Sequence, residues 1–283
     1  MKSTIPFFIV SSGRSGTKML EKLLGSYNNV EMYHEYKCKY IQPLAVKYAL
    51  EIINPNEALS ILKKFHGKSI YSSDKEFWGD SSNKLSWLIP VLSQLFPNAK
   101  FIHLIRDGRK VVNSFYNKLG NECYDDKSTE ILQNWVDNPD TSIEPPPEKK
   151  YWWNVAKPNV NKKFRDYNQF QRICYHWKNI NEVIHHDLKN IEEDKKMFIK
   201  LEELVTNESN LKKLIEFIGL NYSKELFNEL KRPHNVHVPK NFDLTDVQYK
   251  QFYEICMETM IKFNYDKNDE YKVGYDNSNP IVY

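Results

Sequence analysis

Apolar positions along the chain follow two rhythms. Mainly apolar runs over 6–10 and 100–105 read as buried parallel strands, and 197–201 reads as a short strand. Between them apolar residues recur at three- and four-residue intervals, as with Met19, Leu20, Leu23 and Leu24 over 17–24. Val111, Val112 and Phe115 form the same kind of stripe over 109–119. Helical patterns also cover 45–53, 55–65, 84–95, 164–188, 210–218, 223–230 and 245–263, the last with Thr245 as its N-cap. Strands that alternate with helices imply an α/β fold of three layers, a central parallel sheet flanked by helices.

The pattern breaks down over about 120–161. Pro145-Pro146-Pro147 cannot continue a helix, because proline lacks the N–H donor and restricts the residue before it. A loop of this length inside a compact domain is usually functional or disordered, and the aromatic Tyr151-Trp152-Trp153 favours an ordered lid. The segment 232–242 is a further loop bearing Pro and His, and a polar tail follows 265. With no repeats and no low-complexity tract, 1–283 is expected to form a single domain carrying the 120–161 insertion.

Composition narrows the function classes. Apolar residues at 41% and charges at 27% exclude wholesale disorder. A net charge of +3 gives no reason to invoke nucleic acid, although a basic surplus focused in one cleft would suit a small polyanion. Cys38, Cys123, Cys174 and Cys256 are far apart with no CxxC pair, so they read as reduced thiols rather than metal ligands. No run approaches the ~20 apolar residues a membrane span needs, and 1–10 carries too short an apolar stretch for a signal sequence. The expectation is a soluble, cytoplasmic protein.

Two segments carry chemistry. The first is Ser11-Ser12-Gly13-Arg14-Ser15-Gly16-Thr17-Lys18, where a strand ends and a helix begins. Unpaired backbone N–H groups and the positive helix end converge there to make an anion site. Gly13 and Gly16 permit the tight turn, Arg14 adds a forked cation and Thr17 a hydroxyl donor. The bland reading is a tight turn with surface charges. The order also departs from the Walker loop: Thr17 precedes Lys18, and no hydroxyl residue follows the lysine to hold magnesium. The second segment is Arg106-Asp107-Gly108-Arg109 with Ser114. Arg106 sits at the carboxyl end of a strand, where open α/β sheets bind ligands. Ser114, two helical turns on, can look back toward it and help grip a second phosphate.

With both segments in this order and at this separation, the chain resembles the sulfotransferases that use 3′-phosphoadenosine 5′-phosphosulfate (PAPS). Phe96-Pro97-Asn98-Ala99-Lys100 and Phe198 to Leu204 add to the likeness, which extends over roughly 6–220. The resemblance implies a P-loop NTPase-like sulfotransferase fold, PAPS as donor, 3′,5′-adenosine bisphosphate (PAP) as product and no required metal. It implies that Arg14, Ser15, Gly16, Thr17 and Lys18 bind the 5′-phosphosulfate, and that Arg106 and Ser114 bind the 3′-phosphate. Arg14, with Lys18 second, would stabilise the leaving oxygen. Leu201 stands where the family often carries a ring, so adenine would stack elsewhere. The family's C-terminal nucleotide loop is only echoed around Arg232 and Lys240, which are either 3′-phosphate ligands or solvated basic residues.

Sulfuryl transfer also needs a base near the attacking atom. Tyr33-His34-Glu35-Tyr36 resembles the family's cleft mouth, with Glu35 or His34 as the base and Tyr33 beside the acceptor. The alternative is a surface loop. Gly79-Asp80-Ser81-Ser82 resembles a cleft-lining family segment but has Ser81 in place of its lysine; Asp80 remains a candidate acceptor contact. Tyr151, Trp152 and Trp153 either roof the acceptor or pin their loop to the core. His103 and Trp177 read as core residues. The acceptor is a small molecule or glycan, through a hydroxyl or an amine. The competing readings are an ATP-dependent P-loop-type kinase and a non-catalytic nucleotide-binding protein.

Overall fold

The computed structural model describes residues 4–156, 160–230 and 243–267. Five parallel strands form one sheet: β1 (Ile5–Val10), β2 (Val30–His34), β3 (Phe77–Ser82), β4 (Lys100–Ile105) and β5 (Lys196–Lys200). Their order is β2-β3-β1-β4-β5, which puts β1 at the centre. The helices in chain order are α1 (Thr17–Leu24), α2 (Cys38–Ala49), α3 (Pro55–Leu62), α4 (Lys68–Ser72), α5 (Ile89–Leu95) and α6 (Gly108–Leu119). They continue as α7 (Asp126–Asp137), α8 (Gln169–Asp187), α9 (Leu201–Thr206), α10 (Glu208–Ile218), α11 (Lys224–Leu230) and α12 (Asp246–Lys262).

Alternation along the central strand divides the core. Phe7 and Ile9 bury against Leu20, Leu23, Leu211 and Leu214, on the face covered by α1 and α10. Phe8 and Val10 point the other way, into a core with Ile41, Leu62, Leu92 and Ile180 from α2, α3, α5 and α8. These are the three layers expected of an α/β chain. A third apolar mass gathers α6, α7, α8 and α12 around Trp152, Trp153 and Trp177.

Local signals set several boundaries. Thr245 caps α12 through Gln248, as the sequence suggests, and Asn54 and Asn168 form the same reciprocal capping boxes on α3 and α8. Other elements differ from the periodicity. β2 and β3 have no apolar run of their own; they become strands by pairing to the centre, Val30–Phe77 and Phe77–Ile5 in register. The expected helix over 84–95 splits into a short 3₁₀ turn, Lys84–Trp87, and α5. The segment expected to be irregular contains α7, capped by the Asp125 side chain.

The four cysteines are free thiols. Among the described residues no helix is long and apolar enough to cross a membrane.

Candidate active site

The connection after β1 runs toward β2, while that after β4 runs toward β5 on the opposite side. A crevice therefore opens at the carboxyl ends of β1 and β4, the usual ligand position in such sheets. The loop Ser11 to Gly16 fills one side of it. Gly13, Arg14 and Gly16 all have left-handed φ angles, 83°, 55° and 89°. A Cβ on Gly16 would also meet Leu201 Cδ1 at 2.7 Å, so only glycine fits there. No side chain caps α1, which leaves its first-turn N–H groups turned to the crevice.

Buried hydrogen bonds hold this loop. Ser11 Oγ accepts from the Gly13 N–H at 3.0 Å, and Ser86 Oγ donates to the Ser11 carbonyl at 3.0 Å. His176 Nε2, from α8, donates to the Ser12 carbonyl at 2.9 Å. Burial lowers the His176 pKa to about 4, so the ring is neutral and its Nδ1 is an acceptor. The Tyr124 hydroxyl lies 3.0 Å from both that nitrogen and the Asn154 carbonyl, and shares its one proton between them.

Two separated segments then converge. Arg14 Nε donates to Ser114 Oγ at 3.0 Å, and Arg106 Nη1 donates to the Arg14 carbonyl at 3.0 Å. Burial, and then Arg106, pull the Arg14 pKa below its ordinary value. Lys118, one turn beyond Ser114, is lowered by burial and by the same two arginines. Among the described residues no carboxylate forms an ion pair with any of these three cations. Cations held together without an ion-paired carboxylate make a site for an anion.

The end of β2 forms the opposite wall. His34 Nε2 lies 3.2 Å from Thr17 Oγ1, and burial pulls its pKa below the ordinary histidine value. Glu35 has a left-handed φ of 57° and donates its N–H to the Ser81 carbonyl. Its carboxylate takes the Lys84 ammonium at 2.6 Å and faces Lys149 at 3.6 Å. Burial opposes the Glu35 charge, but Lys84 and Lys149 outweigh it and hold the pKa at about 2. Lys84 is wholly buried and stays below its ordinary pKa despite that contact. Burial therefore outweighs attraction on the lysine side of the pair.

Other candidates lie elsewhere. Lys18 points its ammonium to Glu21 along α1, at 2.9 Å. Tyr33 lies on the other face of β2 from His34, bonded to Glu31 Oε1 at 2.5 Å and packed on Trp78. Asp80 is fully buried between the Tyr36 N–H and His66, so it is closed to an acceptor. Trp152 and Trp153 are core rather than lid: Trp152 Nε1 donates to the Pro146 carbonyl at 2.6 Å and Trp153 Nε1 to the Glu122 carbonyl at 2.8 Å. Tyr151 is half-buried beside them, with the Lys150 ammonium over its ring. Arg232 and Lys240 lie outside the described residues. The sequence reading missed Lys84, Lys118, Lys149 and His176. Lys84, three residues beyond Ser81, places its ammonium at Glu35. Ser81 instead donates to the Thr17 carbonyl, tying β3 to the anion loop.

Residues 6–140 match the model of the sulfotransferase family. Sulfotransferase STF9 from Mycobacterium avium has the same fold, with a TM-score of 0.53 at 11% identity over 96% of this chain and 79% of that one. The sulfotransferase domain from the curacin biosynthetic pathway is similar at a TM-score of 0.47 and 14% identity, covering 88% of this chain and 82% of its own. No curated protein sequence matches the chain. Among the described residues no cluster of three or more His, Cys, Asp and Glu is arranged to hold a metal ion.

Proposed function

We propose that this sulfotransferase takes a sulfuryl group from PAPS and passes it to a hydroxyl or amine of a small-molecule or glycan acceptor. The observation that carries the reading is the convergence of Arg14, Ser114 and Arg106 in one cluster, with no carboxylate ion-paired to either arginine among the described residues. A donor with phosphates at both ends of a ribose needs two anion sites side by side. The loop 11–17 and the pair Arg106–Ser114 would supply them. The donor provides an activated sulfuryl group; the chain holds it, neutralises it and manages one proton.

In the reaction the acceptor atom attacks sulfur and the bond from sulfur to the bridging oxygen breaks. The electron pair leaves on the 5′-phosphate of PAP. Arg14 and the first N–H groups of α1 would stabilise that oxygen as charge develops on it. The acceptor proton goes to a base, and His34 is the better of the two candidates. A base works best with a pKa near the working pH; His34 is neutral there, whereas Glu35 at about 2 holds protons poorly. Glu35 would then fix Lys84 and Lys149 beside the acceptor. We further propose a single cytoplasmic domain that needs no metal.

Calorimetry with PAP in metal-free buffer tests the donor assignment. Binding in the micromolar range is expected, weakened roughly 10- to 150-fold in Arg106→Ala, the worth of a charged hydrogen bond. Tight binding of Mg-ATP with none of PAP would favour the kinase reading and overturn this one. A non-catalytic protein would bind PAP yet transfer no label from PAPS to any acceptor in a broad screen.

A further inference from the structure

A second cleft, of about 640 Å³, lies at the far end of α2 from the reaction centre. Tyr48 and Ala49 line it, whereas Cys38, at the other end of this 12-residue helix, neighbours the Glu35 turn. At a rise of 1.5 Å per residue the two ends are roughly 16 Å apart. Its volume suits a small organic ligand.

The lining is one-sided in charge. Glu51, Glu57 and Asp187 face the cleft, and no Lys, Arg or His does so among the described residues. Glu57 is engaged with the Asn54 N–H in the α3 cap. Among the described residues Asp187 pairs only with the exposed His186, and burial pushes its pKa up. The deeper wall contains an unmet acceptor. Asn154 is 7% exposed, and its Nδ2 reaches Asn179 Oδ1 at 3.5 Å. Asn179 Oδ1 also lies 3.4 Å from Trp87 Nε1, so its acceptor capacity is shared by two donors. In this arrangement the Asn154 Oδ1 is buried with no donor. A buried acceptor without a partner is unfavourable, because it has given up water for nothing. The ring of Trp87 and the side chain of Val183 complete an apolar wall beside these oxygens.

We infer that this cleft binds a small organic cation, an ammonium on an aromatic or apolar stem. Asp187 and Asn154 Oδ1 accept its N–H groups while Trp87 and Tyr48 flank the stem. Asn154 Oδ1 lacks a donor and Asp187 is met only by the exposed His186, whereas a cation supplies charge, donors and a face for the rings together. The inference does not depend on the sulfuryl-transfer reading.

Calorimetry on the full chain with 2-phenylethylamine, 2-phenylethanol and 3-phenylpropionate tests it. The amine is expected to bind at least roughly tenfold more tightly than the alcohol, and the acid not at all. Asp187→Asn, at the cleft edge, should weaken the amine roughly tenfold or more with an unchanged melting temperature. Val183→Trp should abolish binding by filling the space. Arg106→Ala should leave it intact while weakening PAP, which separates the two sites. Equal affinity for amine and alcohol, an unaffected Asp187→Asn variant, loss of amine binding in Arg106→Ala, or no amine binding by about 10 mM would each overturn the assignment.

Discussion

The Glu35 carboxylate and the buried Lys84 ammonium lie 2.6 Å apart at the mouth of the cleft. Lys149 approaches the other carboxylate oxygen at 3.6 Å, and Trp153 lies under both ammonium groups at 5.5 and 5.8 Å. Glu35 is thus an anchor for two cations before it is a base. Removing it leaves Lys84 buried and uncompensated, a change that costs about 3 kcal/mol in a buried pair. Glu35→Gln should be destabilised by about that much in urea at pH 7, and Glu35→Gln with Lys84→Met should recover most of it. Equal losses in the single and double variants would show that the destabilisation does not come from an uncompensated Lys84.

The same pair fixes an acid limb of stability. Glu35 has a folded pKa of about 2, below the unfolded carboxylate value of ~4.3. A depressed pKa contributes stability above the unfolded value and loses it as pH falls through the folded one. Wild-type stability should therefore decline between about pH 4.5 and 2, and Glu35→Gln should decline less over that window. Urea midpoints at pH 5, 4 and 3 check this. A parallel decline in both proteins would place the acid sensitivity elsewhere.

His34 gives a kinetic prediction with the opposite emphasis. Its pKa is held below the ordinary histidine value by burial, so it is already unprotonated at neutral pH. The rate should rise as pH increases through a value below about 6.5 and then level off. His34→Gln should remove that limb and lower kcat by roughly 10²- to 10⁴-fold, the range of general-base contributions. Glu35→Gln should retain the limb. If His34→Gln keeps the limb and Glu35→Gln loses it, the roles are reversed.

The half of the candidate site proposed to hold the donor was legible as an anion crevice in the sequence because its residues lie immediately after strands. Arg14 follows β1 and Arg106 follows β4, so motif and sheet position point to the same crevice. The acceptor half was hidden for reasons particular to its residues. Ser81 ends in hydrogen bonds to Thr17 and Tyr33, and the cation enters only at Lys84, past the strand end. β2 and β3 read poorly because Gly79, Asp80 and Ser81 have weak strand preference; pairing to β1 overrides it. The helix Asp126–Asp137 was masked by the prolines that follow it, although Asp125 is a sound N-cap. His176 looked like one of three similar histidines on α8, and nothing in the spacing says that it alone meets Ser12.

The fate of Trp152 separates a lid from a pinned segment. A lid residue is exposed when open, and its loss alters KM or turnover more than stability. Trp152 is instead 1% exposed, packs edge-on to Trp135 at 5.6 Å and donates to the Pro146 carbonyl. Its own carbonyl accepts from Gln42 Nε2, which joins the segment to α2. Truncation removes a large buried ring and leaves a cavity that this wall cannot collapse to fill. Trp152→Ala should therefore cost about 3–5 kcal/mol in urea unfolding. At a temperature where the variant remains folded, its affinity for PAP should stay within about twofold of wild type. A stable variant with a sharply raised acceptor KM would instead make Trp152 part of the acceptor roof.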